Sequence, residues 1–149
     1  MIKGLFETHL NVRDLERSMA FYGALPDFQL GMFEAERRIA FYFIGGWNHT
    51  MLGLWEKPEA EVRAQHLAFE IALDSMGPAI EDLKARGIAP LDFFQQPSEE
   101  PTVFAWMPAA GIYFQDPDGH LLEYIARLEG KPQPERGLMT LSQWQAGGD

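Results

Sequence analysis

The chain has 149 residues, with 12 Lys and Arg against 22 Asp and Glu, for a formal charge of −10. Its length suits one domain or two small modules sharing a core, and 46% hydrophobic residues exclude a disordered chain. The acidic balance repels phosphate backbones, and the longest apolar run, residues 39–44, is far below the roughly 18 residues of a membrane helix, so neither nucleic acid nor membrane is an expected partner. Cysteine is absent, which removes disulfides and thiolate metal sites and fits a cytoplasmic setting. The charged start, Met1-Ile2-Lys3-Gly4-Leu5-Phe6-Glu7, offers no signal-peptide core.

In chain order, residues 7–12 alternate as a strand. A helix follows, with Asp14 as N-cap and Leu15, Met19 and Tyr22 at helical spacing. Strands are expected over 28–32, 38–44 and 50–56, with Gly45-Gly46-Trp47-Asn48 as a turn. Residues 58–64 read as a linker. The same grammar then repeats: a strand over 65–73, caps at Asp74 and Ser75, Pro78 in the first helical turn, Ile80 and Leu83 facing the core, and Gly87 as the stop. Further strands are expected over 88–94, over 102–106 with 111–115, and over 120–126. A polar loop at 96–101 and the strong turn Asp116-Pro117-Asp118-Gly119 separate them. The tail is rich in Gly, Pro and Gln, with Leu138, Leu141 and Trp144 as its apolar residues.

This pattern predicts an α+β fold of tandem βαβββ modules: 1–60, 61–127, and a C-terminal appendage over 128–149. One helix covers one face of four strands, so the other face is expected to curl around a cavity or meet a partner, as a curled mixed sheet around a concave metal site. Strand parity places Glu7, His9 and Asn11 on one side and Thr8, Leu10 and Val12 on the other. Likewise His66, Ala68 and Glu70 oppose Leu67, Phe69 and Ile71, and Glu123 opposes Leu122 and Tyr124. His9 and His66 therefore hold matching places in the repeat, and Glu123 can share their face. Two imidazoles and a carboxylate suit a divalent ion (Mn, Fe, Ni, Co or Zn) with open coordination positions.

Weaker candidates surround this set. Glu7 and Glu70 share the inferred face as possible general bases, against the alternative of surface ion pairs. Arg13, Arg37 and Arg38 could neutralise an anionic substrate, though isolated arginines are usually solvated. His120 has the wrong parity and reads as structural, and His49 sits near a turn. Trp47, Trp55, Phe104 and Trp106 either wall a pocket or simply pack.

At these residues the chain resembles the vicinal oxygen chelate superfamily: glyoxalase I, bleomycin-resistance proteins, fosfomycin-resistance thiol transferases and type I extradiol dioxygenases. The likeness is carried by the stretch from Thr8-His9-Leu10-Asn11-Val12 to Phe21-Tyr22, by His66-Leu67-Ala68-Phe69, and by Phe114-Gln115-Asp116-Pro117-Asp118-Gly119-His120-Leu121-Leu122-Glu123; with the repeat it covers residues 5–126. The resemblance implies a metal held by His9, His66 and Glu123. It also implies a homodimer, since such proteins often complete their sheets with a second chain. Glyoxalase I has a fourth acidic ligand on the last strand of the first module. Aligning 51–55 with 121–125 puts Gly53 there, which neither ligates nor takes a proton, so lactoylglutathione lyase activity is not expected.

The expected function is a metal-dependent enzyme acting on a small oxygen-chelating substrate by thiol transfer, isomerisation or lyase chemistry, with Glu123 as both ligand and catalytic residue. A drug- or metabolite-sequestering protein of bleomycin-resistance type is the alternative, and a small extradiol-type dioxygenase the second.

Overall fold

A computed structural model describes residues 1–147. They form two compact units: residues 1–65 with 116–120, and residues 66–115 with 121 onward. Each contains a mixed sheet with one long helix, so the chain has an α+β, paired-βαβββ architecture.

In the first unit, β1 (Glu7–Val12), β2 (Phe28–Glu34), β3 (Ile39–Ile44) and β4 (Thr50–Glu56) lie in the order β1-β4-β3-β2, with only β1–β4 parallel. Helix α1 (Leu15–Ala24) starts where Asp14 accepts a hydrogen bond from the Arg17 amide at 2.9 Å. Its buried residues are Leu15, Ser18 and Tyr22, where spacing alone suggested Met19 in place of Ser18. Ser18 is buried because its hydroxyl faces Asp118 at 3.4 Å. Leu10, Val12, Leu52 and Leu54 are fully buried, each leucine worth about 2 kcal/mol of burial.

The turn 116–120 contributes polar fastenings to this unit. Asp118, with no exposed side-chain surface, accepts from Arg13 Nε and Arg17 Nη2 at 2.7 Å each. Burial alone would raise its pKa, but hydrogen bonds from Arg13 and the Arg17 charge outweigh that and hold it below the ordinary aspartate value. Asp116 accepts from the Tyr22 hydroxyl at 2.9 Å and from the Asp118 and His120 amides. His120 is fully buried: Nδ1 accepts from the Gln65 amide at 3.1 Å, which leaves Nε2–H to donate to the Asn11 carbonyl at 2.9 Å.

In the second unit β5 (His66–Glu70), β6 (Thr102–Phe104), β7 (Ala109–Gln115), β8 (Leu121–Arg127) and β9 (Leu138–Thr140) lie in the order β5-β8-β7-β6-β9. Helix α2 (Met76–Ala85) buries Met76, Ile80 and Leu83. It stops at Gly87, whose φ of +71° permits the closing bond from Ile88 N to Leu83 O at 2.9 Å.

One expectation is corrected here. The strand over 88–94 does not form; Leu91 makes only isolated bridges to Tyr113 and Pro97. Pro90 and Pro97 lack amide donors, and Asp92 instead turns the chain by accepting from the Phe94 and Gln96 amides. The strands expected over 102–106 and 111–115 form as the antiparallel pair β6 and β7. The tail docks: β9 pairs with β6, and α3 (Leu141–Ala146) opens with a Thr140–Gln143 capping box. Among the described residues no helix is long and apolar enough to cross a membrane.

Arg38 ties β3 to α1 and β4, donating to both oxygens of Glu16 and of Glu56, while Glu56 also accepts from the Leu15 amide at 2.8 Å. Hydrogen bonds from Arg38 hold Glu16 down to about 2 and lower Glu56 as well. Carboxylates depressed in the folded state bind protons more readily once unfolded, so their contribution is present above the ordinary glutamate value and is lost as pH falls through the folded one. Arg38→Met should therefore be less stable than the parent near pH 7, with the gap closing as pH drops toward about 2 in urea titrations followed by circular dichroism.

Candidate metal centre

The two faces of each sheet differ sharply. In the second unit the helix side carries Leu122, Tyr124 and Phe114, packed with Phe69. The opposite side carries His66 and Glu123, brought together because β5 and β8 are parallel neighbours with His66 opposite Leu121 and Ala68 opposite Glu123. His66 Nε2 lies 3.2 Å from Glu123 Oε2.

Their environments are unequal. The His66 side chain is 48% exposed, and that of Glu123 is 4% exposed. Room for a carboxylate inside the sheet comes from Gly111: a Cβ there would collide with Glu123 Oε1. Glu123 thus leans past its cross-strand partner Tyr113 and over the bare backbone two residues away. Burial raises its pKa above the ordinary glutamate value, against the opposing pull of the His66 charge and of hydrogen bonds from Tyr113 and His66. The Tyr113 hydroxyl is raised too, first by burial and then by the Glu123 charge.

His66 Nδ1 sits 3.0 Å from the Leu121 carbonyl, so that nitrogen carries the proton. In neutral imidazole Nε2 is then a lone pair facing a carboxylate oxygen. Two acceptors at that distance are reconciled by a cation between or upon them, either a proton on Nε2 or a metal ion. Glu123 Oε1 is also buried without a hydrogen-bond partner, an arrangement that costs free energy unless something positive is supplied. The donor set fits a borderline divalent ion, and the Nδ1 contact is the orienting bond typical of metal-ligating histidines.

His9 lies on β1 of the first unit, on the side away from α1, as parity placed it. Its imidazole meets Phe41 edge-on at 5.5 Å between centroids and Trp55 at 5.7 Å, and Nε2 is 3.7 Å from Glu7 Oε2. Opposite it stands Gly53, where a Cβ would come within 2.7 Å of His9 Cδ2 and 2.9 Å of the Phe41 ring. The strand registers add a finding that linear alignment does not give. Glu123 pairs two residues beyond His66, and the residue two beyond His9 pairs with Trp55, not Gly53. Neither Gly53 nor Trp55 offers a carboxylate.

The other sequence candidates resolve simply. Arg13 binds Asp118 and Glu59, Arg37 binds Glu34, and Arg38 binds Glu16 and Glu56, so all three are engaged in ion pairs within the fold. Glu70 pairs with Arg127 at 2.6 Å and is lowered by it. His49 borders a hollow formed with residues 3–6. Phe104 is buried packing and Trp106 is exposed. Asp14, Glu16 and Glu56 bring oxygens within 4.8 Å of one another, but Arg38 and helix-start amides already occupy them. The sequence pattern does not single out Tyr113 or Gly111. Their shared parity on one strand, two residues apart, was the available signal.

Gly111→Ala should displace the Glu123 carboxylate and destabilise the fold by about 1–3 kcal/mol in urea melts. In metal-free protein Glu123→Gln removes a buried charge whose raised pKa marks it as unfavourable. It should raise stability near neutral pH and lose that advantage as acid protonates the parent, read from melting temperatures across the pH range.

A family model described as the Glyoxalase/Bleomycin resistance protein/Dioxygenase superfamily matches residues 4–124. Among solved structures, an integron cassette protein from the mobile metagenome of the Halifax Harbour sewage outfall is 33% identical, covering 84% of this chain and 99% of its own, with a TM-score of 0.72. A glyoxalase/bleomycin resistance protein/dioxygenase from Nocardioides is 28% identical over 89% of each chain, with a TM-score of 0.64. The fosfomycin resistance protein FosX from Listeria monocytogenes, complexed with Mn(II) and sulfate, is 27% identical over 86% of this chain and 93% of its own, also with a TM-score of 0.64.

Proposed function

From the premise that the chain belongs to the glyoxalase/bleomycin resistance protein/dioxygenase superfamily, we propose that it is a metal-dependent enzyme acting on a small molecule that offers adjacent oxygens. The observation that carries this reading is the buried Glu123 carboxylate, 3.2 Å from His66 Nε2 and with Oε1 left without a partner. His66 and Glu123 supply two donors from one unit, and His9 supplies the third, from the same chain or from a second copy. The Mn(II) complex of the Listeria relative supports a divalent ion. When bound, such an ion acts as a Lewis acid on a substrate oxygen.

The chain's own residues do the rest. The Leu121 carbonyl fixes the His66 ring so that Nε2 faces inward. Gly111 keeps the place of the Glu123 carboxylate clear, and Tyr113 stands beside it as its cross-strand partner. With neither Gly53 nor Trp55 able to take a proton, the isomerase chemistry that needs a fourth acidic ligand is disfavoured, and addition to or opening of the substrate is favoured. We further propose a homodimer: β2 is an edge strand with Leu30 and Phe33 exposed, which invites cover by another chain. A second reading, retention of a small molecule without turnover, is favoured by the aromatic residues around His9.

Elemental analysis after reconstitution with Mn2+ tests the reading. About one ion per chain is expected, with affinity falling by about 10–100-fold or more in His66→Ala and in Glu123→Ala. Retention of full affinity by both variants would sink the ligand assignment. Tight small-molecule binding by metal-stripped protein, with no metal-dependent turnover, would favour the second reading.

A further inference from the structure

The open face of the first sheet holds a hollow of about 330 Å3 bordered by Glu7, Met32, Phe41, Phe43, Trp47 and Met51. Two of these residues, Glu7 and Phe41, are also neighbours of His9. Phe43 and Trp47 form a tilted pair with centroids 4.7 Å apart. Gly31 makes this possible, because a Cβ there would stand 2.8 Å from the Phe43 ring. Trp47 is 63% exposed, so a large apolar ring is held at the surface beside a cavity.

The chemistry of the lining is selective. Three π faces, two thioethers and one carboxylate surround the space, and among the described residues no lysine or arginine borders it. A compact anion would find no counter-charge there and a carboxylate opposing it. A flat cation would find aromatic faces for its ring and a carboxylate for its charge. The volume is at the lower end for small-molecule pockets and suits one or two rings.

We propose that this hollow seats the non-reacting end of the substrate and that this end is an aromatic ammonium, its ring against Phe43 and Trp47 and its charge beside Glu7. The substrate role rests on the reading of His9 as a metal ligand, whereas the preference for an aromatic cation rests on the hollow alone.

Calorimetric titration of the full chain, stripped of metal and dialysed, tests the preference with three probes that share one ring and linker: 1-naphthylmethylammonium, 1-naphthylmethanol and 1-naphthylmethylphosphonate. The ammonium should bind about tenfold more tightly than the alcohol, and the phosphonate most weakly. Glu7→Gln should bring the ammonium to the affinity of the alcohol while leaving the alcohol unchanged, and Trp47→Ala should weaken both. Both side chains are exposed, so the variants should retain the parent's circular dichroism. Equal affinities, a preference for the phosphonate, no binding, or binding untouched by Trp47→Ala would overturn the proposal. So would a dimer that dissociates on Trp47→Ala in sedimentation, since a second copy would then occupy the hollow. Mn2+ titrated into the same protein separates the two readings. Metal uptake without ammonium binding overturns the hollow alone, and ammonium binding without metal uptake overturns the metal centre and the substrate role built on it.

Discussion

One helix cannot cover both faces of a sheet, and the rest of the organisation follows from that constraint. In each unit the helix side takes the aliphatic residues of alternate strand positions, which explains why Leu10, Leu52 and Leu54 in one unit and Leu122 in the other reach complete burial. The opposite positions are relieved of any duty to fill a core beneath a helix. His9 and Trp55 stand there in the first unit, and His66, Tyr113 and Glu123 in the second. Function is free to settle on the face that the helix leaves alone.

The two open faces have diverged. That of the second unit is polar at its centre: a carboxylate is sunk into the sheet over a glycine and left with an unmet oxygen. Such a group is expensive, and its raised pKa expresses the expense as a preference for a proton or another cation. That of the first unit is aromatic, with Gly53 allowing His9 and Phe41 to close over its backbone. A shared fold therefore presents two different surfaces, one suited to a charge and one to a ring. Fold alone does not assign the reaction; the difference between these surfaces narrows it.

Rigidity comes from charges placed away from those faces. Asp118 between Arg13 and Arg17, and Arg38 between Glu16 and Glu56, pin α1 to the strands and turn that surround it. His120, with both ring nitrogens committed to backbone partners, completes the same fastening. Arg13, Arg37 and Arg38 are all engaged in ion pairs within the fold, which leaves none of them for an anionic substrate. The carboxylate that borders the aromatic hollow, Glu7, has no arginine or lysine partner among the described ion pairs and sets its electrostatics.

The sequence by itself determined the repeat, the helix starts and the side of each strand. These depend on local rules: two-residue alternation, an N-cap at Asp14, a left-handed stop at Gly87. It also singled out His66 and Glu123 for one face, and the parallel pairing of β5 with β8 brings them together. Tertiary structure decided what alternation cannot encode. Whether 88–94 becomes a strand depended on prolines and on Asp92 winning the amides that a ladder would need. Whether the tail docks depended on β6 having a free edge. The register that sets Trp55, two residues on from Gly53, in the place matching Glu123 comes from pairing between distant strands. Gly111 and Tyr113 gained their roles only when β7 was laid beside β8, because room for a carboxylate is a property of the neighbouring strand and not of the residue that carries it.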